Sequence, residues 1–281
     1  MNSFPEVIEA DGVLLRPAAQ SDLGAVATHL NMPDVARWMA TVRHPFTDAD
    51  AEEILALAHD PSQCLRVLEV NGTMVGCLRL SPDIWFWLAP SAQGQGLMSR
   101  ALHAAITAYF HTPAPPLFAT CRDDNCAALS VLSRLGFSRM PMRKRLFFQN
   151  EGRALSCIEY VMCVEQWLQL HPPRLTCGSL ELRPAVQKDA PALAKMLPRR
   201  GTEGSRSWPH PDRISAFIEH NRCRRHGSGL FVIEDKNRCL IGMVLLDKTR
   251  EKQIPRFMTP EESDRYSENV ANLFRDCMSG S

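Results

Sequence analysis

The stretch Ser91-Ala-Gln-Gly-Gln-Gly-Leu-Met-Ser-Arg-Ala-Leu102 decides how the chain is read. Before it stands an aromatic run, Ile84-Trp-Phe-Trp-Leu88, that reads as a strand. After it, Met98, Ala101, Leu102, Ala105, Ile106 and Tyr109 recur at helical spacing with one buried face. Two glycines one residue apart therefore occupy a strand-to-helix turn. Such a turn either redirects the chain and nothing more, or presents the unpaired amides of the helix's first turn, with the positive end of the helix dipole, to an anion. Gly94 and Gly96 are not a dinucleotide fingerprint, because G-x-G-x-x-G would need glycine where Ser99 stands. They are not a P-loop either, since no Gly-Lys-Ser/Thr follows. These residues alone leave both readings open.

Working outward, the first 165 or so positions alternate strand and helix patterns. Val13 to Arg16 reads as a strand, Ser21-Asp22 can cap a helix running to Leu30, and Thr47 can cap another over residues 48–58. Leu65 to Val70 and Met74 to Leu80 form a hairpin joined at Asn71-Gly72. Past the glycine turn, the proline cluster at 113–116 stops the helix, and Leu117 to Cys121 is a strand. Asn125 caps a helix that ends at Gly136, and strands near Met142 to Phe148 and Leu155 to Met162 complete the unit. The remaining third repeats the opening half. Leu14 to Leu30 matches Leu180 to Leu197, Val42-Arg-His-Pro45 matches Trp208-Pro-His-Pro211, and Arg66 to Gly76 matches Phe231 to Gly242. Arg16 to Arg183 and Asp22 to Asp189 share one offset, and Gly76 to Gly242 differs from it by a single residue, which indicates a duplication. The second copy is expected to stop after its hairpin, with neither aromatic strand nor glycine turn beyond Leu246. A last helix capped by Thr259 with Pro260 at its first position follows. The domains expected are 1–168, complete, and 169–281, a degenerate partial repeat.

Composition narrows the function classes. With 32 Lys+Arg against 31 Asp+Glu, the net charge of +1 provides no global field to recruit nucleic acid. The short basic runs at His220 to His226 and Met142 to Arg145 lack aromatic interleaving, so a nucleic-acid partner is not expected. No basic n-region with an apolar h-region opens the chain, and no apolar run approaches the roughly 18 residues of a membrane span. Ten scattered cysteines without a Cys-x-x-Cys pair read as buried free thiols, with neither a metal site nor a disulfide framework. The expectation is a cytoplasmic protein.

From Val13 to about Val164 the order of elements resembles the GNAT superfamily of acyl-CoA-dependent N-acyltransferases. The family signature, Gln/Arg-x-x-Gly-x-Gly/Ala, is matched by Gln93 to Gly96 with Met98 in place of the last small residue, and Asn125 to Phe137 resembles its Asn-initiated helix ending in Leu-Gly-Phe. Together with Leu14-Leu-Arg-Pro17 and Met98, these motifs are most similar to the branch of ribosomal-protein N-terminal acetyltransferases. The resemblance implies an α/β fold: a GNAT-type mixed central sheet flanked by helices, here followed by the truncated second copy. It implies acetyl-CoA as co-substrate, with its pyrophosphate on the amides of Gln95, Gly96, Leu97, Met98 and Ser99 and the turn shaped by Gln93 and Gly94. The pantetheine arm would lie where the Ile84 to Leu88 and Leu117 to Cys121 strands splay, pairing near Leu88 and Ala89. Asn125 would either bond the arm or serve only as a helix cap.

Acyl transfer to an amine needs an oxyanion donor and a route for a proton to the departing thiolate. The Leu88 N–H is the expected donor. Many members of the family carry a Tyr acid where this chain has Leu132, and the ribosomal branch often has Ser where this chain has Ala128. Asp83 is a candidate base or amine anchor. Arg37, Trp38 and His44 lie in the loop where the family binds its acceptor, a small-molecule amine or a peptide N-terminus. His210 repeats His44 in the copy without the turn, which favours a shared structural role for the two. A non-catalytic acyl-CoA-binding protein is the competing reading, and the second copy is expected to extend the acceptor side or form a homodimer contact.

Overall fold

The computed structural model describes residues 4–81, 83–112, 114–197, 208–224, 228–246, 255–257, 259, 261–266 and 270. Pro113, Pro260, Arg225 and His226, each part of a sequence expectation, lie outside them. The chain divides into two compact units, residues 1–163 and 164–281.

The first unit runs β1 (Ile8–Ala10), β2 (Val13–Arg16), α1 (Leu23–Asn31), α2 (Pro33–Ala36), α3 (Asp48–Ala58), β3 (Leu65–Val70), β4 (Thr73–Arg79), β5 (Trp85–Leu88), α4 (Leu97–Phe110), β6 (Leu117–Arg122), α5 (Cys126–Arg134), β7 (Ser138–Phe148) and β8 (Arg153–Met162). Strands β1 to β5 form one antiparallel sheet in chain order, and β6, β8 and β7 form a second. Local chemistry explains the joints. Asn71 and Gly72 both take positive φ, 50° and 76°, the geometry that closes a two-residue hairpin between β3 and β4. Thr47 Oγ1 accepts the Asp50 N–H while Asp50 Oδ2 accepts the Thr47 N–H, a capping box that starts α3. Val26 and Leu30 of α1 and Ala51 and Leu55 of α3 are buried against Leu65, Val67, Cys77 and Trp87 of the sheet, each large side chain contributing about 1.5–3 kcal/mol.

The two sheets meet at one residue pair and then part. Ile84 bridges Ala119 in parallel sense, with the Ile84 N–H donating to the Phe118 carbonyl at 2.7 Å. Beyond it, β5 pairs with β4 alone, from Arg79 opposite Trp85 to Gly76 opposite Leu88. Gly76 is required there, because a Cβ would stand 2.3 Å from the Trp87 carbonyl oxygen.

The second unit runs α6 (Val164–Leu170), β9 (Leu175–Cys177), β10 (Leu180–Pro184), α7 (Ala190–Met196), α8 (Ile214–His220), β11 (Gly229–Glu234), β12 (Leu240–Leu246) and β13 (Pro255–Phe257). Its sheet order is β13-β12-β11-β10-β9, which fits a partial copy of the β1 to β5 sheet. The correspondence reaches side chains. Arg16 grips both oxygens of Asp22 at 2.8 and 2.9 Å and donates through Nε to Glu69. Arg183 grips Asp189 at 2.8 and 3.0 Å and donates to Glu234. The β-bulges fall at Leu68/Glu69 and at Ile233/Glu234.

Several sequence expectations need correction. The second copy does not stop at its hairpin: β13 pairs with β12, Gly242 opposite Phe257, in the register of Gly76 opposite Leu88. Three residues with a proline carry no strand periodicity, which is why the sequence hid it. Helix α6 belongs to the second unit, so the division falls before Val164 and not after residue 168. Strand β7 begins at Ser138, its register shifting between Arg139 and Arg143, and the bulge masked its first half. His44 and His210 do not share a role: His210 Nδ1 accepts the Asp212 N–H, whereas Thr47 caps the corresponding helix of the first unit.

Candidate active site

The parted edges of β5 and β6 enclose a cleft of about 460 Å³, whose remaining walls come from α2, the glycine turn with the start of α4, and α5. Strand parity fixes which backbone groups face it. The Ala89 N–H donates to the Val75 carbonyl at 2.8 Å, on the β4 side. Alternation along the strand turns the N–H groups of Leu88 and Phe86 to the opposite edge, toward the cleft. The Leu88 N–H, the expected donor, thus faces the cleft. The Ala89 amide, expected to pair with the arm, is consumed by β4 instead. The Leu88 carbonyl is taken as well, accepting from Gln93 Nε2 at 3.0 Å. Gln93 is therefore the brace that ties the turn to the end of β5.

The turn itself is built for close approach. Gly94 and Gly96 have φ of 75° and 72°, the left-handed region that glycine enters without strain. Gly96 is the N-cap of α4 with no side-chain cap, and among the described residues the N–H groups of Gln95, Gly96, Leu97, Met98 and Ser99 have no backbone acceptor. Arg100 donates to the carbonyls of Gln95 and Asp11, which ties the glycine turn to the turn between β1 and β2. Leu97 and Met98 side chains are buried beneath it. An uncapped helix of fourteen residues thus opens on the cleft through a glycine turn, with the positive end of its dipole toward that cleft.

Asn125 begins α5: its Oδ1 accepts the Ala128 N–H at 3.1 Å, and the same residue lines the cleft. The capping role is thus established, and its amide nitrogen remains for other work. Leu132 and Ala128 also line the cleft, so the positions where the family places a hydroxyl acid are apolar here. Cys121 lines it too, but burial pushes its thiol up to about 12, which keeps it protonated at neutral pH.

The acceptor-side candidates divide. Trp38 lines the cleft, its ring flanked by the guanidinium groups of Arg37 at 4.6 Å and Arg122 at 4.9 Å. Arg122 is buried, bidentate to Asp124 and bonded to Glu151 and to the Arg37 carbonyl. Arg37 itself is exposed and acts on the ring. His44 is exposed and outside the cleft lining. Asp83 is also outside it, with its carboxylate engaged by Arg79 at 2.9 Å and largely exposed. The strand-end position of Asp83 suggested proximity, but the side chain turns to its i−4 neighbour. Sequence reading passed over Asp34, Trp87, Thr120 and Arg134, all of which line the cleft. Asp34 stands one helical turn before Trp38, a spacing that signals a shared face.

Among the described residues there is no group of three or more His, Cys, Asp or Glu able to hold a metal ion, and no helix long and apolar enough to cross a membrane. Cys64, Cys77, Cys121, Cys126, Cys157, Cys163, Cys223 and Cys239 are free thiols.

Comparison with known proteins agrees with this geometry. Residues 13–138 match the acetyltransferase (GNAT) domain family. No curated protein matches the chain. Among solved structures, Mycobacterium smegmatis RimJ in complex with CoA-disulfide is similar at 20% identity, over 58% of this chain and 90% of that one, with a TM-score of 0.50. A Vibrio fischeri ribosomal-protein-S5-alanine acetyltransferase is similar at 19% identity, over 57% of this chain and 98% of that one, also at 0.50. At these identities the likeness is one of fold. The family match spans β2, the glycine turn and α5, so the region that builds the cleft is similar to an acetyltransferase (GNAT) domain.

Proposed function

We propose that this protein is an N-acetyltransferase that moves an acetyl group from acetyl-CoA to a primary amine, a protein N-terminus or a small molecule. The observation that carries this reading is the open N-terminus of α4 beside a cleft between two parted strands. The pyrophosphate lies on the amides of Gln95 to Ser99, where the helix dipole favours negative charge. The pantetheine arm continues between β5 and β6 as an added strand would, with Asn125 Nδ2 within its reach. The thioester carbonyl accepts the Leu88 N–H, which stabilises the oxyanion as the neutral amine adds. The C–N bond forms, the C–S bond breaks, and the proton shed by the amine reaches the thiolate through water, since positions 128 and 132 supply no hydroxyl. Positioning of the two reactants supplies the greater part of the acceleration. The free thiols among the described residues fit a reducing compartment such as the cytoplasm, and the second unit fits a duplicated copy that has lost the cofactor turn.

Titrating acetyl-CoA and CoA calorimetrically into the wild type and into Gly96→Glu tests the site. Micromolar binding that the variant loses supports the reading, and no binding to the folded wild type refutes it. The apolar residues at 128 and 132 favour one alternative, a protein that binds acyl-CoA without turnover. Release of CoA that depends on an added amine decides between the two.

A further inference from the structure

Trp38 reaches the cleft from a segment that is neither helix nor strand. Helix α2 ends at Ala36 and α3 begins at Asp48, so no regular element sets the direction of the indole. Two hydrogen bonds from elsewhere in the unit fix that segment. The Gln149 N–H, just past β7, donates to the Ala40 carbonyl at 3.0 Å, and Arg122 Nη1, at the end of β6, donates to the Arg37 carbonyl at 3.0 Å. Arg122 does more than make this bond. Its side chain is 7% exposed, and every nitrogen of its guanidinium donates: Nε and Nη2 to the two carboxylate oxygens of Asp124 at 2.9 and 2.6 Å, and Nη1 to Glu151 at 3.1 Å as well. The same guanidinium lies over the rings of Trp38 and Phe148, 4.9 and 5.4 Å from their centroids. A rigid fork whose donors are all engaged has one orientation, and a ring stacked against it is oriented in turn. Arg122 is not among the residues that line the cleft, whereas Trp38 is.

We infer that Arg122 is a positioning residue: pinned by Asp124, it sets the Trp38 indole as a wall of the cleft and touches nothing that the cleft holds. This role rests on the acetyltransferase reading only for its place in a reaction, where the seat of Trp38 fixes the width of the cleft beside α2. The cofactor side does not depend on it. Asn125 Oδ1 accepts the Ala128 N–H, and the Asn125 N–H donates to the Arg122 carbonyl at 3.2 Å, so the corner that presents Asn125 stays tied through backbone when the Arg122 side chain is changed. A lysine at 122 keeps the charge and loses both the fork and the plane. Arg37 also lies over the Trp38 ring, at 4.6 Å, but it is exposed, and an exposed contact of this kind is the weaker one.

The test reads Trp38 directly. The protein is prepared with 5-fluorotryptophan in place of tryptophan, and Trp38→Phe identifies the Trp38 line in the fluorine NMR spectrum. Spectra of the wild type, Asp124→Ala and Arg122→Lys are taken with and without saturating CoA, and CoA affinity is measured calorimetrically on the same samples. The wild type is expected to give one narrow Trp38 line that CoA shifts. Both variants are expected to move or split that line in the free protein and to reduce its response to CoA by about threefold or more, with the lines of Trp167 and Trp208 in place and CoA affinity within about threefold of the wild type. A side chain that only supports the fold would not separate the response of Trp38 from the affinity for CoA. A Trp38 line that bound CoA leaves unmoved in the wild type, or that keeps its place and response in either variant, overturns the inference. Loss of CoA affinity by about tenfold also overturns it, because the cluster would then serve the cofactor corner. The Asp124 side chain is 53% exposed, so Asp124→Ala carries the test even where Arg122→Lys fails to fold. A wild type that binds no CoA defeats the proposed acetyltransferase, and the Trp38 lines of the free proteins then decide the positioning role alone.

Discussion

Substituting Ser99 by Glu separates binding at the α4 terminus from the stability of α4, because the two respond with opposite sign. Ser99 is the third residue of the helix, half-buried, and lines the cleft. The helix has no side-chain cap and no acidic residue in its first turn. A carboxylate at this position meets the positive end of the dipole and free amides, which stabilises the helix by about 0.3–1 kcal/mol. Thermal denaturation should therefore find Tm unchanged or raised by about 1–3 °C. The same carboxylate stands where the pyrophosphate is to bind. At about 5 Å and an effective dielectric constant between 20 and 80, each phosphate charge is repelled by about 1–3 kcal/mol. Acetyl-CoA affinity measured by calorimetry should fall by about tenfold or more, while Ser99→Ala should bind as the wild type does. A Ser99→Glu protein that melts like the wild type and binds acetyl-CoA within about twofold of it would show that these amides do not hold the pyrophosphate.

Other expectations follow from the same geometry. Gly76→Ala drives a methyl to 2.3 Å from the Trp87 carbonyl and should destabilise by about 2 kcal/mol or more in chemical denaturation. Gly24→Ala, on α1 with nothing within 4 Å of the new methyl, should instead stabilise by about 0.5–1 kcal/mol. Asp22 is held below the usual carboxylate range, foremost by its side-chain hydrogen bonds to Arg16. A depressed folded pKa contributes stability in full above the unfolded value near 3.8, and that stability is lost as pH falls through the folded value. Asp22→Asn should thus be less stable at pH 7, by about 2 kcal/mol, and show a flatter decline below pH of about 4. A variant whose acid limb matches the wild type would remove the pair from the account. Ala128→Ser restores a hydroxyl beside the cleft and should raise kcat for an amine by about tenfold, leaving acetyl-CoA affinity unchanged; an unchanged kcat would mean that proton delivery does not limit the rate.

Much of the cofactor half was legible because backbone chemistry writes itself into residue type. Gly94 and Gly96 stand at left-handed positions, Asn125 at a cap, Asn71-Gly72 at a tight hairpin turn, and each of these conformations selects few residues. The splay between β5 and β6 was legible from family resemblance, but its cause, pairing that ends at Ile84 and Ala119, is a tertiary fact. The acceptor half was less visible. Asp83 is suggested by its place just before the aromatic strand and His44 by the family's acceptor loop, yet the structure places neither in the cleft lining. Trp87 lay within a quoted strand, but its unpaired N–H appears only once the face it occupies is known. Strand β13 was missed because its partner and the glycine at 242, not its own periodicity, make it a strand.

The second unit shows why a shared scaffold does not carry a shared site. Its β12 and β13 repeat the register of β4 and β5, and a glycine is required at the same crossing, since a Cβ on Gly242 would lie 2.9 Å from the Arg256 carbonyl oxygen. Both copies therefore deliver a strand to the edge next to a helix start. The difference is what the helix start meets. In the first unit it opens through Gly96 with no side-chain cap. In the second, Thr259 Oγ1 accepts the Glu262 N–H at 3.2 Å and Glu262 returns a carboxylate oxygen to the Thr259 N–H at 3.0 Å, ahead of the helical residues 261–266. That carboxylate occupies the place an anion would take and carries the same charge, so the terminus satisfies itself. The proposed anion site thus rests on a few residues that leave the helix start uncapped in one copy and cap it in the other, while the Arg–Asp–Glu clusters at Arg16 and Arg183, common to both, belong to the scaffold.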